Sequence, residues 1–259
     1  LGVQSMNDGI LVDAKRGHTA QEVVDAVARL KQHGMTVGVQ LLPGLKGETW
    51  ETILETAIAV VKLEPDFVRI YPVLVIENTE LADQYRSGEY KPLSTEQAIK
   101  YCAFLKEWFE QHNIEVIRTG LQSTEELDSG NSLVAGPYEP AMGELVVNEQ
   151  YKERIERCID EHLSSKNLLG KQNSYNFSHF DCYHIHKVKC RSYSDSGDIL
   201  MKHRIVISYP RSSTSKVRGL KNRNIIYFQE TYPQFSIDWC EDNTRNTVRC
   251  CIDGLQYML

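Results

Sequence analysis

Four residues in the first part of the chain could bind a polar ligand: Gln4, Arg16, Gln40 and Gly44. Gln4 lies near the end of the apolar stretch that opens the chain, and Gln40 interrupts the apolar run Val37–Leu42. Amides at strand ends can hydrogen-bond hydroxyls of a ligand, and a guanidinium can hold a carboxylate bidentately. Pro43, Gly44 and Gly47 break the second run into a tight turn. A residue with no β-carbon lets backbone approach a ligand there. Tyr71 and Arg118 fall at the ends of later candidate strands and would face a substrate across the same pocket. The plainer role open to the amides is to satisfy backbone groups at strand ends. No carboxylate pair stands apart from the solvated helix faces, so no general acid and base are assigned.

Strands must bring these residues to one rim, and the pattern supplies them. Leu1–Ser5, Val37–Leu42, Phe67–Val73 and Ile114–Gly120 read as four strands, and Val37–Leu42 as one buried on both faces. Helices separate them. Thr19 with Glu22 and Ser94 with Gln97 form capping boxes, and Thr49 caps the helix that follows the glycine turn. Strands alternating with helices imply βαβ units and a parallel sheet, whose ligands sit at the carboxyl ends of the strands. Four strands are too few to close a barrel. A charged helix, Met142–Leu163, ends this part.

Composition divides the chain. From Lys166 onward there are 14 Lys and Arg against 8 Asp and Glu, a balance of +6, whereas residues 1–165 carry 15 against 27, a balance of −12. The break predicts a boundary near Ser164–Asn173, with domains at 1–165 and 171–259 and an anionic partner for the basic tail. No run approaches a membrane span, and the 7 cysteines lack a disulfide spacing. A cytoplasmic chain with reduced thiols and no membrane partner is expected.

Four ordered elements carry a family resemblance: Gly2–Ser5 (GVQS), Lys15–His18 (KRGH), Pro43–Thr49 (PGLKGET) and Arg69–Pro72 (RIYP). Over about residues 1–145 they resemble the radical S-adenosylmethionine (SAM) superfamily, in its Elongator catalytic-subunit branch and bacterial relatives. A more distant resemblance is to oxygen-independent coproporphyrinogen oxidase. Lys46 departs from the family, which has proline there. The resemblance implies that Gln4, Arg16, Gln40 and Gly44 contact SAM, the guanidinium taking the methionine carboxylate. It implies that an intact parent holds SAM and a [4Fe–4S] cluster and modifies RNA, tRNA in particular, through a 5′-deoxyadenosyl radical.

The cluster needs three thiolates in a CxxxCxxC loop. Cys102, Cys158, Cys182, Cys190, Cys240, Cys250 and Cys251 offer no such spacing. The expected fold is therefore the carboxyl half of a radical SAM α/β partial barrel, followed by a small α+β domain. The chain opens in what resembles the fourth barrel strand. Neither cofactor is expected on this chain alone, and the radical reaction is expected to be absent. The open sheet edge predicts self-association, or a partner equivalent to the amino-terminal half of the barrel. The eukaryotic relative's acetyltransferase domain is not apparent in the tail. The competing expectation is a non-catalytic RNA-binding or scaffold protein derived from such an enzyme.

In the tail the pattern turns to period two, with strands at Phe177–Cys190, Lys202–Tyr209, Phe235–Cys240 and Thr247–Ile252. Cys182, His184 and His186 share one strand face, at a spacing of about 7 Å, which reads as half-buried packing. No metal ligands are assigned. Residues 215–232 read as a tight turn leading into a helix. Arg218, Gly219, Lys221 and Arg223 in this turn resemble the backbone-gripping loop of KH-type RNA-binding domains, with Asn222 in place of the second glycine.

Overall fold

The structure, a computed structural model, describes residues 1–122, 124–128, 130, 132–165 and 203–259. The expected strand at Phe177–Cys190, with Cys182, His184 and His186, lies outside them.

Two compact units divide at Gln150/Tyr151. The first comprises β1 (Gly2–Gln4), α1 (Asp8–Asp13), α2 (Ala20–Gln32), β2 (Gly38–Leu41), α3 (Trp50–Leu63), β3 (Phe67–Ile70), β4 (Val75–Ile76), α4 (Glu80–Ser87), α5 (Thr95–Gln111), β5 (Glu115–Thr119), α6 (Glu125–Asp128), β6 (Leu133–Ala135) and the start of α7 (Met142–Ser165). Helix starts follow the caps read from sequence. The Thr19 and Ser94 side chains each accept the backbone N–H three residues on, and the residue at that position returns the bond. Thr49 does the same with Thr52. α3 ends at Glu64, in the left-handed region, ahead of Pro65.

β1, β2, β3 and β5 form a wholly parallel sheet in that order. Along β2 and β3 burial alternates. Val39, Leu41, Val68 and Ile70 are buried, whereas Gly38 and Gln40 are half-buried and Arg69 is exposed. This corrects the expectation that Val37–Leu42 is buried on both faces. Val37 lies before the strand, and residues alternate across a sheet, so Gln40 falls on the half-buried face with Gly38. The reverse face carries the core, to which α3 and α5 contribute Ile53, Ala57, Val60, Ile99, Phe104 and Phe109. β4 and β6, far apart in the chain, pair antiparallel as a separate ribbon.

The second unit holds the rest of α7, then β7 (Arg204–Tyr209), α8 (Thr214–Arg218), α9 (Arg223–Thr231), β8 (Ser236–Glu241), β9 (Arg249–Ile252) and β10 (Leu255–Met258). Its sheet runs β10-β9-β7-β8, with β7 and β8 parallel and the other neighbours antiparallel. The division between units precedes the boundary expected at Ser164–Asn173. Ile155, Cys158 and Ile159 of α7 belong to the same core as Ile205, Ile207, Phe228 and Cys250, so hydrophobic packing splits the helix ahead of the charge break. Among the described residues no helix is long and apolar enough to cross a membrane.

Candidate functional site

Parallel register sets the rim of the first unit. Gly2, Gln40, Arg69 and Arg118 stand side by side on β1, β2, β3 and β5. The β3–β5 register shifts between Val68 and Arg69, and that irregularity brings Arg118 opposite Arg69. One amide and two guanidinium groups thus share a row.

Gln4 closes the other side. Its backbone is in the left-handed region (φ 67) and its side chain is buried, yet its Oε1 has no hydrogen-bond partner. An unsatisfied buried amide oxygen costs about 1–3 kcal/mol, so its retention points to a ligand. A β-carbon on Gly2 would stand 2.7 Å from Gln4 Nε2 and 3.8 Å from Arg16 Nη2. Gln4 and the exposed Arg16 therefore converge over Gly2, which leaves them room. Thr56, from α3, receives the Met6 amide at 3.0 Å and braces the chain after β1.

The glycine turn is built from its own residues. Gly44 (φ +100) and Gly47 (φ +79) occupy backbone conformations that side chains disfavour. A β-carbon on Gly44 would also press on Leu93 at 3.0 Å. Gly44 N donates to Glu48 Oε2 at 2.5 Å, and the Tyr90 hydroxyl donates to Gly44 O at 2.7 Å. Burial drives the Glu48 carboxyl up to about 7, against the backbone bonds from Gly44 and Leu45 that favour its anion. Burial, and then the Glu48 charge, hold the Tyr90 hydroxyl up at about 12. With Lys46 in place of proline, the turn is tied by Glu48 and Tyr90.

A pocket of about 320 Å³ opens beside the arginine pair, lined by Arg69, Tyr71, Ile117, Arg118, Leu121 and Gln122. Tyr71 and Arg118 thus come to one pocket. The sequence reading gives Arg69 a place in the RIYP element but no role in the pocket, although its odd position in Phe67–Ile70 marks it as facing away from the core. Gln122 Oε1 accepts from Arg118 at 3.4 Å.

These residues fit SAM in kind: an orphaned amide, a free-standing arginine for a carboxylate, and a glycine turn. They do not fit a [4Fe–4S] cluster. The only described cysteine of the first unit, Cys102, is fully buried in α5, and its thiol is pushed up by desolvation.

In the second unit Gly219 (φ 77), Lys221 (φ 54) and Asn222 (φ 62) make the turn between α8 and α9. A short helix precedes the turn, which sequence reading showed as a turn alone. Lys221 and Arg223 are exposed, whereas Arg218 turns inward, its Nε buried and its charge beside Tyr209. Asn224 Nδ2 donates to Val217 O at 3.0 Å and ties the two helices together.

The Radical SAM superfamily profile matches residues 1–59, and that of the Radical_SAM C-terminal domain matches residues 65–153. The chain is similar to a tRNA uridine(34) acetyltransferase of Methanocaldococcus jannaschii, 34% identical over 61% of this chain and 29% of that protein. It is also similar to the bovine Elongator complex protein 3, 31% identical over 40% of this chain and 19% of that protein. A solved structure of archaeal Elp3 from Methanocaldococcus infernus, lacking its N-terminus, superposes with a TM-score of 0.48 at 31% identity, over 65% of this chain and 36% of that one. The chain spans less than a third of the length of the acetyltransferase relative. Over residues 1–153 the chain belongs to the radical SAM superfamily and is similar to Elongator complex protein 3.

Proposed function

We propose that residues 1–150 form the carboxyl side of a radical SAM site. Gln4, Arg16, Gln40 and Gly44 bind SAM, and Tyr71 and Arg118, joined by Arg69, face the substrate. The observation that carries this reading is the buried, partnerless Oε1 of Gln4 beside Arg16. SAM, when reductively cleaved, supplies an oxidising carbon radical, and the protein's part is to bind and orient it. In the proposed site Arg16 holds the carboxylate, the Gln4 amide takes a hydroxyl, and the Gly44 turn lets backbone lie against the ligand. No step is assigned to a cluster, since the first unit's described residues do not hold one.

The substrate is an RNA of the tRNA class. One archaeal relative is named a tRNA uridine(34) acetyltransferase, and Arg69 with Arg118 makes a pocket suited to phosphate. Anaerobic iron–sulfur reconstitution of the chain is expected to give neither a [4Fe–4S] spectrum nor SAM cleavage. A stoichiometric cluster that cleaves SAM would show that the remaining cysteines act as ligands. The edges of the four-stranded sheet, where Ile117 is 44% exposed, are proposed to pair with a second chain, a claim light scattering tests through the mass in solution.

A second reading is a non-catalytic RNA-binding protein, favoured by the exposed Lys221 and Arg223 on a glycine turn between two helices. In this reading Gly219 lets the backbone turn, and Arg218 contributes less than its neighbours because it is turned inward. Salt titrations of single-stranded RNA binding separate the two readings. Loss of the salt slope in Lys221→Ala with Arg223→Ala places the RNA on the second unit, and loss in Arg69→Ala with Arg118→Ala places it on the first.

A further inference from the structure

We propose that His162, His203 and Asp253 form a zinc site in the second unit, built from the end of α7, the residue before β7 and the β9–β10 turn. One ligand atom from each lies within 4.8 Å of the others. His162 Nε2 is 3.2 Å from Asp253 Oδ2, and His203 Nδ1 is 2.6 Å from the same oxygen. Tetrahedral zinc with bonds near 2.1 Å separates its ligand atoms by roughly 3.3 Å. The two histidine–aspartate separations differ from that spacing by less than about 1 Å, and the third pair by no more than about 1.5 Å, so modest side-chain movement exchanges their mutual hydrogen bonds for a shared metal ion.

The supporting groups suit a metal. The Tyr257 hydroxyl is 3.0 Å from His162 Nδ1, which leaves Nε2 pointing at the cluster. Metal-bound histidines use their second nitrogen in this way. The Arg204 amide donates to Asp253 Oδ1 at 3.0 Å and orients the carboxylate, whose Oδ2 faces both imidazoles. Backbone holds the aspartate in place: Asp253 (φ 50) and Gly254 (φ 85) fill the two central positions of the β9–β10 hairpin, and Asp253 N donates to Arg204 O. The His162 side chain is fully buried, whereas those of His203 and Asp253 are 27% and 24% exposed. One side of the cluster is thus open for a metal to enter and for water to fill a fourth position. Two imidazoles and one carboxylate prefer zinc over magnesium or calcium, which take oxygen donors.

The Asp-Gly pair between two strands was a readable hairpin signal in the sequence. The convergence was not, because the three ligands are separated by 41 and 50 positions, as their numbers show.

The test is metal binding by the whole, chelator-treated chain. Zinc titration is expected to show one equivalent bound, and cobalt substitution to give visible bands with no thiolate charge-transfer absorption. His203→Ala and Asp253→Asn are expected to weaken zinc by at least tenfold. Tyr257→Phe keeps the ring and removes only the outer hydrogen bond, and should cost about 10–100-fold. His33→Ala, in the first unit, should leave binding unchanged. No zinc binding by the unaltered chain would overturn the assignment. So would undiminished binding in folded His203→Ala or Tyr257→Phe protein, or thiolate bands with cobalt.

Discussion

Arg69 and Arg118 stand opposite each other on adjacent parallel strands, two like charges in register at the edge of a 320 Å³ pocket. Neighbouring like charges on a sheet are unfavourable by a fraction of a kcal/mol. The pairing lowers stability, and an anion between the two would reverse that. Arg118→Gln is therefore expected to leave thermal stability unchanged or slightly raised at low salt. It should lower RNA affinity, and reduce the slope of log affinity against log salt by about 0.7 for single-stranded RNA. Calorimetry and a salt titration on the same protein check the two halves.

Glu48 gives a pH dependence with a definite sign. Its carboxyl is raised from 4.5 to about 7, so the folded protein holds that proton more tightly than the unfolded chain does. Its contribution to stability is full below pH 4.5 and is lost as pH rises from 4.5 to 7. The loss is at most about 3 kcal/mol. Glu48→Gln cannot ionise. Relative to the unaltered chain, it should gain stability across that interval and show a flat difference above it, measured by urea denaturation at stepped pH. A difference that is constant from pH 4.5 to 7 would contradict the raised Glu48 carboxyl.

Gly38 faces the Phe67 ring across the β2–β3 pair. A β-carbon there would come within 2.1 Å of the ring, and the aromatic would have to leave its place. Overpacking of this kind costs roughly 1–3 kcal/mol. Gly38→Ala is expected to lower the denaturation midpoint by that amount, and Gly38→Ala with Phe67→Leu to recover most of it. The cycle is read by chemical denaturation.

Much of the first unit was legible because caps and period speak locally. Thr19, Thr49 and Ser94 each start a helix where their side chains can take a backbone N–H, and β2, β3 and β5 fall on the apolar runs. What escaped were features set by partners distant in sequence. Arg69 joins the site because a register shift places Arg118 beside it, and no local pattern encodes that shift. β4 and β6 have only two and three residues, too short to show a period. The end of α7 reads as a solvated charged helix, yet Ile155 and Ile159 lie four apart on the stripe that enters the second core. Arg218 had the right charge for an RNA contact, but Tyr209, nine positions earlier, draws it inward.

Equilibrium binding of S-adenosylhomocysteine decides whether Gln4 and Arg16 make the proposed contacts with SAM, since this analogue keeps the carboxylate and ribose and needs no cluster. Gln4→Met fills the same volume and removes the partnerless Oε1, so the variant should be as stable as the unaltered chain, or more stable by about 1–3 kcal/mol. Saturable binding by the unaltered chain is expected, falling at least tenfold in Gln4→Met and in Arg16→Ala. Absence of binding at millimolar ligand, or equal binding by both stably folded variants, would contradict it.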